Sequence, residues 1–301
     1  MLLLHRAFAD DSSRWHRYSE HPMPMLYRHD DARAFLERAE DWLQAREIEH
    51  AVVLQSARQA RANDGHYERP IYWATFEDGG QLVGCAYRTP PFKVGVTALP
   101  QTAIAPLVAD LAATYAGPIG GFSGPEPTVR ALADAWVQAR GGSWSVNTRG
   151  RLLAFSPGAR PTQASKSGVL RLAGPGDAAL AQGWGAAASI DSGIAALDGS
   201  LCTHLLRAKM LYFWVDDEPR CMIGLLRETR HSVAVGIVYT PAAFRGQGYG
   251  SAALAALNRL LDERGVANRY LWIDPSSDAA QALAAKLGCR FVYDSLDVDC
   301  A

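Results

Sequence analysis

Residues 238–251 read Val-Tyr-Thr-Pro-Ala-Ala-Phe-Arg-Gly-Gln-Gly-Tyr-Gly-Ser, the most informative stretch of the chain. They follow an apolar run, 233–239, that predicts a strand, and precede an amphipathic segment, 247–264, that predicts a helix. The three alternating glycines lack Cβ atoms, so the backbone can turn tightly and present successive N–H groups to a ligand. The helix behind the loop adds unpaired N–H groups and the positive end of its dipole. The expected ligand of this loop is therefore a pyrophosphate group.

Two common phosphate-binding motifs do not fit the loop. A dinucleotide-binding G-x-G-x-x-G pattern starting at Gly246 needs glycine at position 251, where the chain has Ser251. A P-loop ends in Gly-Lys-Ser or Gly-Lys-Thr, and no lysine lies near this loop. Arg245 instead places a permanent positive charge at the loop entrance. Two interpretations remain at this point, a third kind of phosphate loop and a glycine-rich turn without a ligand.

Composition limits the classes of function. The chain has 301 residues, with 30 Lys and Arg against 31 Asp and Glu, and a formal charge of −1 at pH 7. Without a basic excess, we expect neither nucleic-acid nor membrane binding. No apolar stretch approaches the ~20 residues that span a bilayer, and the N-terminal residues do not resemble a signal peptide, so we predict a cytoplasmic protein. The five cysteines lack paired spacing, which predicts free thiols.

A stretch rich in Pro, Gly, Ser and Thr, residues 157–167, predicts a linker near the middle of the chain. The segments before and after this linker share one order of predicted elements: helices, a hairpin, a strand, a Thr-Pro turn and a helix. This order predicts two α/β domains with a mixed sheet in each. The predicted strands cover 50–55, 71–76, 82–87, 92–97, 152–155, 169–172, 211–215, 221–226, 233–239, 270–273 and 291–298. The first predicted helix starts at Asp30 or Asp31. The other predicted helices cover 101–115, 127–140, 177–189, 198–207, 247–264 and 277–287.

The R-G-x-G-x-G spacing of residues 245–250, behind Pro241, resembles the acetyl-CoA pyrophosphate loop of the GNAT superfamily of N-acetyltransferases. Residues 287–291 (Leu-Gly-Cys-Arg-Phe), 88–91 and 124–126 also resemble a two-domain bacterial subgroup of that superfamily. The resemblance implies an α/β (α+β) fold of two GNAT-like domains, each a mixed, mostly antiparallel sheet flanked by helices. It implies a degenerate domain at 1–156, a linker at 157–167 and an acetyl-CoA-binding domain at 168–301.

The resemblance further implies acetyl-CoA as co-substrate and no metal. By position, the backbone of Val238, Tyr239 and Thr240 would pair with the pantetheine arm. The phosphates would be held by Arg245, Gly246, Gln247, Gly248, Tyr249, Gly250 and Ser251. The first half has Lys93-Val-Gly-Val in place of a glycine loop, so we do not expect it to bind a second CoA.

Catalytic groups are only partly indicated. Members of the superfamily commonly carry a glutamate base on the strand before the loop, and residues 232–239 contain no carboxylate. Glu228, in the preceding turn, either acts through a water molecule or is an exposed turn residue. A tyrosine acid is common four residues before the glycine that ends the last helix, and that position is Ala284 here. The substitute candidates are Ser277 and Tyr293.

Five aromatic residues either line an acceptor pocket or belong to the core: Trp184, Tyr212, Trp214, Tyr239 and Trp272. The expected function is an acetyl-CoA-dependent N-acetyltransferase that acts by direct transfer on a small-molecule or peptide amine. The alternative is a non-catalytic acyl-CoA-binding or sensing protein with the same fold. Longer acyl groups stay open, as do antibiotics, amino acids, polyamines and proteins as acceptors.

Overall fold

The computed structural model of the chain describes residues 24–62, 67, 70–155, 167–192, 198–226, 229 and 231–301. The predicted linker lies outside these residues except for Ser167, so the domain boundaries stay a prediction. The strands are β1 (Met25–Arg28), β2 (Tyr72–Asp78), β3 (Gln81–Arg88), β4 (Val94–Val96), β5 (Gly121–Pro125), β6 (Trp144–Phe155), β7 (Val169–Leu172), β8 (Leu211–Asp216), β9 (Glu218–Leu226), β10 (Ser232–Tyr239), β11 (Asn268–Ile273) and β12 (Cys289–Cys300). The α-helices are α1 (Ala32–Ala45), α2 (Glu47–Ala62), α3 (Ile104–Thr114), α4 (Glu126–Arg140), α5 (Ala178–Ser192), α6 (Gly199–Arg207), α7 (Tyr249–Glu263) and α8 (Asp278–Lys286).

The two halves of the chain repeat one order of elements. Each contains a strand, two helices, three strands, a helix, a strand, a helix and a strand. Local signals place many of the boundaries. Asp31 caps α1 by accepting a hydrogen bond from the Ala34 N–H at 2.8 Å, as predicted. The β2–β3 turn contains Gly79 and Gly80, both with positive φ angles, as a tight hairpin requires.

The strands form one sheet in the order β1-β2-β3-β4-β5-β12-β6-β11-β10-β9-β8-β7. Neighbouring strands are antiparallel except for the β4–β5 and β10–β11 pairs, which are parallel. The predicted fold class, a mixed and mostly antiparallel sheet flanked by helices, is therefore confirmed.

The last strand of each half pairs with strands of the other half. β12 lies between β5 and β6, and β6 lies between β12 and β11. The two expected sheets are consequently joined into one continuous sheet, and each half completes the sheet of the other.

Helices cover both faces of this sheet. In the second half, α7 and α8 pack on one face and α5 and α6 on the other. In the first half, α3 and α4 pack on one face and α1 and α2 on the other. α2 also contacts the second half, because Ala51 packs against Ala234 and Tyr270. The buried Glu47 carboxylate accepts hydrogen bonds from Thr229 and Asn268.

The prediction of a strand over residues 50–55 is wrong, because these residues lie inside α2. A short apolar run such as Ala-Val-Val-Leu fits a buried helix as well as a strand. Here α2 buries one side on the first half and another on strands far away in sequence, so its apolar residues do not form one narrow stripe. The short edge strand β1 and the internal strand β5 were not predicted.

Candidate functional site

β10 and β11 separate at their carboxyl ends. Their parallel pairing runs from Ser232 with Asn268 to Val235 with Leu271, although β10 continues to Tyr239. On its other edge β10 stays paired with β9, with a bulge between Val235 and Val238. A bulge bends a strand and increases its twist. The result is a wedge-shaped opening, bordered by the last residues of β10, whose backbone has no β11 partner there.

The glycine loop lies at the wide end of this opening. After Tyr239 come Thr240, Pro241, a short 3-10 turn over Ala242–Phe244, and then Arg245. Gly246 and Gly248 have φ angles of +74° and +87°, and no atom lies within 4 Å of a Cβ added at either position. The glycines are thus required for backbone conformation and not for space.

The loop fits an anionic group at the start of α7. Gly248 is the N-cap residue of α7, and residues 245–248 are exposed. The first-turn amides of a helix lack intrahelical partners, and the helix dipole makes this end positive. An exposed loop of this conformation in front of a helix is suited to a phosphate group.

The Tyr249 side chain anchors the loop. It is 7% exposed, and its hydroxyl donates to the Asp216 carboxylate at 3.2 Å. Its ring lies 6.3 Å from that of Phe244 in an edge-to-face arrangement. Tyr249 therefore fixes the first turn of α7 on β8 and can offer a ligand only its backbone.

The guanidinium of Arg245 has protein partners. Its Nε donates to the Thr240 carbonyl at 2.9 Å, and its Nη2 pairs with the Asp191 carboxylate. Asp191 lies in the last turn of α5, 54 residues earlier in the chain. Both side chains are about half exposed, at 48% and 44%. No local pattern predicts this pair, because the two residues are far apart in the chain.

The remaining predicted ligand residues lie around the same opening. The Tyr239 ring contacts that of Trp184 on α5, with 5.9 Å between ring centroids. The Gln247 amide donates to the Ala243 carbonyl at 3.0 Å. Val238 packs partly into the core beneath α7. As with Tyr249, these residues can offer a ligand mainly their backbone groups, and their roles stay predictions.

Residues 197–289 match the sequence model of the Acetyltransferase (GNAT) family. The match covers the region that contains β10, the glycine loop and α7. No curated protein matches the chain.

Solved structures share the fold over nearly the whole chain. A Drosophila protein has a TM-score of 0.63 at 13% identity, over 92% of this chain and 99% of its own. A GCN5-related N-acetyltransferase from Sphaerobacter thermophilus has a TM-score of 0.55 at 14% identity, over 92% and 95%. A GNAT-family acetyltransferase from Colwellia psychrerythraea has a TM-score of 0.51 at 12% identity, over 92% and 100%. At these identities the likeness shows the fold alone.

The catalytic candidates are scattered over the second half of the chain. Glu228 lies outside the described residues. Ser277 caps α8, where its hydroxyl accepts the Ala280 N–H at 3.3 Å. Tyr293 lies on β12, separated from β10 by β6 and β11, and its ring contacts Trp272 at 5.6 Å. Ala284 is buried at 3% exposure in the core beside α7. Ser277 and Tyr293 are thus held on different elements.

The aromatic residues separate onto two faces of the sheet. Tyr212 and Trp214 are 2% and 5% exposed and lie in the core with α7, so they are core residues. Trp184 and Tyr239 lie on the opposite face with α5. Trp272 follows Leu271, the last β11 residue paired with β10, and so borders the opening.

The structure places a carboxylate, Asp274, near the opening. The sequence analysis did not predict this residue as part of the site. It follows β11, and the carboxyl ends of parallel strands meet at one edge of a sheet. Hydrogen bonds from the Ser276 N–H at 2.8 Å and from the Ser276 hydroxyl at 2.7 Å lower the pKa of this carboxyl group. Asp274 is therefore ionised at neutral pH.

The described ranges hold neither a metal-ion cluster nor a membrane-spanning helix. They contain no cluster of three or more His, Cys, Asp or Glu residues suited to a metal ion. They also contain no helix long and apolar enough to cross a membrane. All five cysteines lie in described ranges and are free thiols.

Proposed function

We propose that the protein is an acetyl-CoA-dependent N-acetyltransferase that transfers the acetyl group directly to an amine. The observation that supports this proposal most strongly is the separation of β10 and β11 beside the glycine loop that precedes α7. This arrangement places an unpaired strand edge next to an anion-binding helix end, within residues that match the GNAT family. A nucleotide with a long polar arm fits both features together.

Backbone groups would carry most of the binding. The amides of residues 246–251 would hold the pyrophosphate, and the free edge of β10 at Val238–Thr240 would pair with the amide-containing arm. Arg245 would add charge once it leaves the Asp191 carboxylate. When bound, acetyl-CoA supplies a thioester whose carbonyl carbon the amine attacks.

The residues of the chain itself would supply little acid or base catalysis. The β10 amides near Val238–Thr240 would polarise the acyl oxygen. Asp274 has a lowered pKa, which makes it a weak base, and β10 carries no carboxylate. The amine would therefore react in the neutral form present in solution. Ala284 cannot protonate the leaving group, but a thiol pKa of about 8.5 allows the thiolate to leave unassisted. Losing one proton-transfer group costs roughly 10²–10⁴-fold in rate, which predicts a slow enzyme.

The lack of a carboxylate on β10 and of a leaving-group acid at Ala284, both in described parts of the chain, favours one alternative, a sensing protein that binds acyl-CoA without turnover. Two measurements separate the possibilities: a calorimetric titration with CoA, and thiol release from acetyl-CoA with an aminoglycoside, an amino acid, a polyamine and a peptide amine. The proposal expects CoA binding and amine-dependent thiol release that rises with pH as the acceptor amine loses its proton. CoA binding without turnover on any amine would favour the sensing protein, and absence of CoA binding would overturn both.

A further inference from the structure

A cavity of about 290 Å³ between the first half and β12 has no part in the proposed reaction. Ala98, just after β4, and Pro125, the last residue of β5, line one side of it. The recorded β4–β5 pairing covers only Val94 with Phe122 and Gly95 with Ser123. The cavity thus lies beyond the paired part of β4 and β5, the first-half counterpart of the opening between β10 and β11.

A buried histidine gives the cavity a specific polar group. His50 is 5% exposed and lines the cavity, and its Nδ1 lies 3.2 Å from the Leu43 carbonyl oxygen. A carbonyl only accepts, so Nδ1 carries the proton and Nε2 is an acceptor. Burial lowers the pKa of His50 to about 4, so the ring is neutral at physiological pH. Nε2 has no hydrogen-bond partner among the described residues.

The rest of the lining favours a flat molecule without net charge. The Trp42 and His50 rings stack at 4.4 Å with an angle of 17° between their planes, and Val83 and Tyr293 extend the apolar wall. Arg46 and Glu49 also line the cavity, and their charged groups lie 3.9 Å apart. With side chains 67% and 42% exposed, this loose pair offers both charges to a ligand.

We propose that this cavity binds a small planar molecule, neutral or zwitterionic, whose ring N–H donates to Nε2 of His50. The ligand ring would meet the edge of His50 and lie along the apolar wall that Val83 and Tyr293 extend. A polar substituent of either sign would reach Arg46 or Glu49. The site uses no residue of the glycine loop, so it does not depend on the proposed acetyl transfer.

Indole and indene provide a matched pair of probes, because they have nearly the same size and ring skeleton, and a CH2 group in indene replaces the N–H group of indole. Saturation-transfer NMR and calorimetry on the full chain without CoA would measure their binding. We expect one indole per chain with a Kd of about 0.1–1 mM, typical of a ligand this small. Indene should bind about tenfold more weakly, because it leaves the buried Nε2 without a donor.

Two variants and a control test the location. His50→Phe keeps a ring beside Trp42 and should abolish the preference for indole over indene. Ala98→Phe, at an exposed lining position, should block both ligands without disturbing the core. Ala113→Phe, at an exposed position of α3, should leave both affinities unchanged. Equal binding of indole and indene to the wild type, or unchanged indole binding in Ala98→Phe, would overturn the proposal, as would no binding of indole.

Discussion

Gly248 and Gly265 flank the same helix in similar backbone conformations, yet only one of them lies in the proposed phosphate loop. Their φ angles are +87° and +71°, and no atom lies within 4 Å of a Cβ added at either. Substitutions at these two glycines therefore distinguish the effect of backbone strain on stability from the effect of a lost ligand contact on binding.

We predict that Gly248→Glu and Gly265→Glu each lose about 1–2 kcal/mol of stability, because a left-handed conformation strains any side chain. Only Gly248→Glu should lose CoA binding, by tenfold or more, because its carboxylate would repel the phosphates. Thermal melts and calorimetric titration with CoA check both parts. Equal CoA affinity in the two folded variants would refute the loop assignment.

Asp191 forms an ion pair with Arg245, and the proposed function has the Arg245 guanidinium bind a phosphate of CoA instead. We predict that Asp191→Asn tightens CoA binding about two- to fivefold, since an exposed ion pair is worth only about 0–1 kcal/mol. Glu263→Gln, at the exposed far end of α7, removes the same charge without touching Arg245. If both variants gain affinity equally, overall charge and not the pair is responsible.

At the scale of elements, α2 joins the two halves of the chain. Its buried residues pack on Trp73 and Cys85 of the first half and on Tyr270 of the second. The hydrogen bond from His50 to the Leu43 carbonyl also fastens α2 to the end of α1. The packing of α2 against α1 is therefore most stable while His50 is neutral.

We predict that this histidine makes folding sensitive to acid. The unfolded chain binds a proton at His50 below pH 6.5, whereas burial lowers the pKa in the folded protein to about 4. The free energy of unfolding should therefore decrease as pH falls from 6.5 to 4, by up to about 3 kcal/mol from this residue. Above pH 6.5 this contribution is fully retained.

Urea unfolding at pH 7, 6, 5 and 4.5 checks this dependence, with His50→Gln as the comparison. Glutamine can still donate toward Leu43 but does not titrate, so the variant should show a shallower decline over the same range. An identical decline in both proteins would mean that other groups cause the acid sensitivity.

At the scale of the whole molecule, the halves share a sheet but differ at the equivalent helix start. α7 begins behind exposed glycines, whereas α3 begins at Ile104 behind Ala103, and these two residues are 4% and 0% exposed. The chain before α3 is a 3-10 turn, Gln101–Ala103, without glycine, so it presents no comparable glycine loop to a phosphate group.

We therefore predict one CoA site per chain, although the order of elements repeats. Calorimetric titration should give a stoichiometry near one, and Gly248→Glu should remove all of the binding. A stoichiometry near two, or residual tight binding in Gly248→Glu, would show that the first half has kept a CoA site.

The sequence alone determined the glycine loop, much of the repeated order of elements and most boundaries of helices and strands, although β1 and β5 were missed. These features rest on local causes, which are hydrophobic period, capping by Asp31 and the backbone freedom of Gly246 and Gly248. Only the tertiary structure decided the exchange of β6 and β12, the helical state of residues 50–55, the Arg245–Asp191 pair and the cavity at His50. Each of these depends on contacts between segments far apart in sequence, and packing between such segments overrides or adds to what neighbouring residues specify.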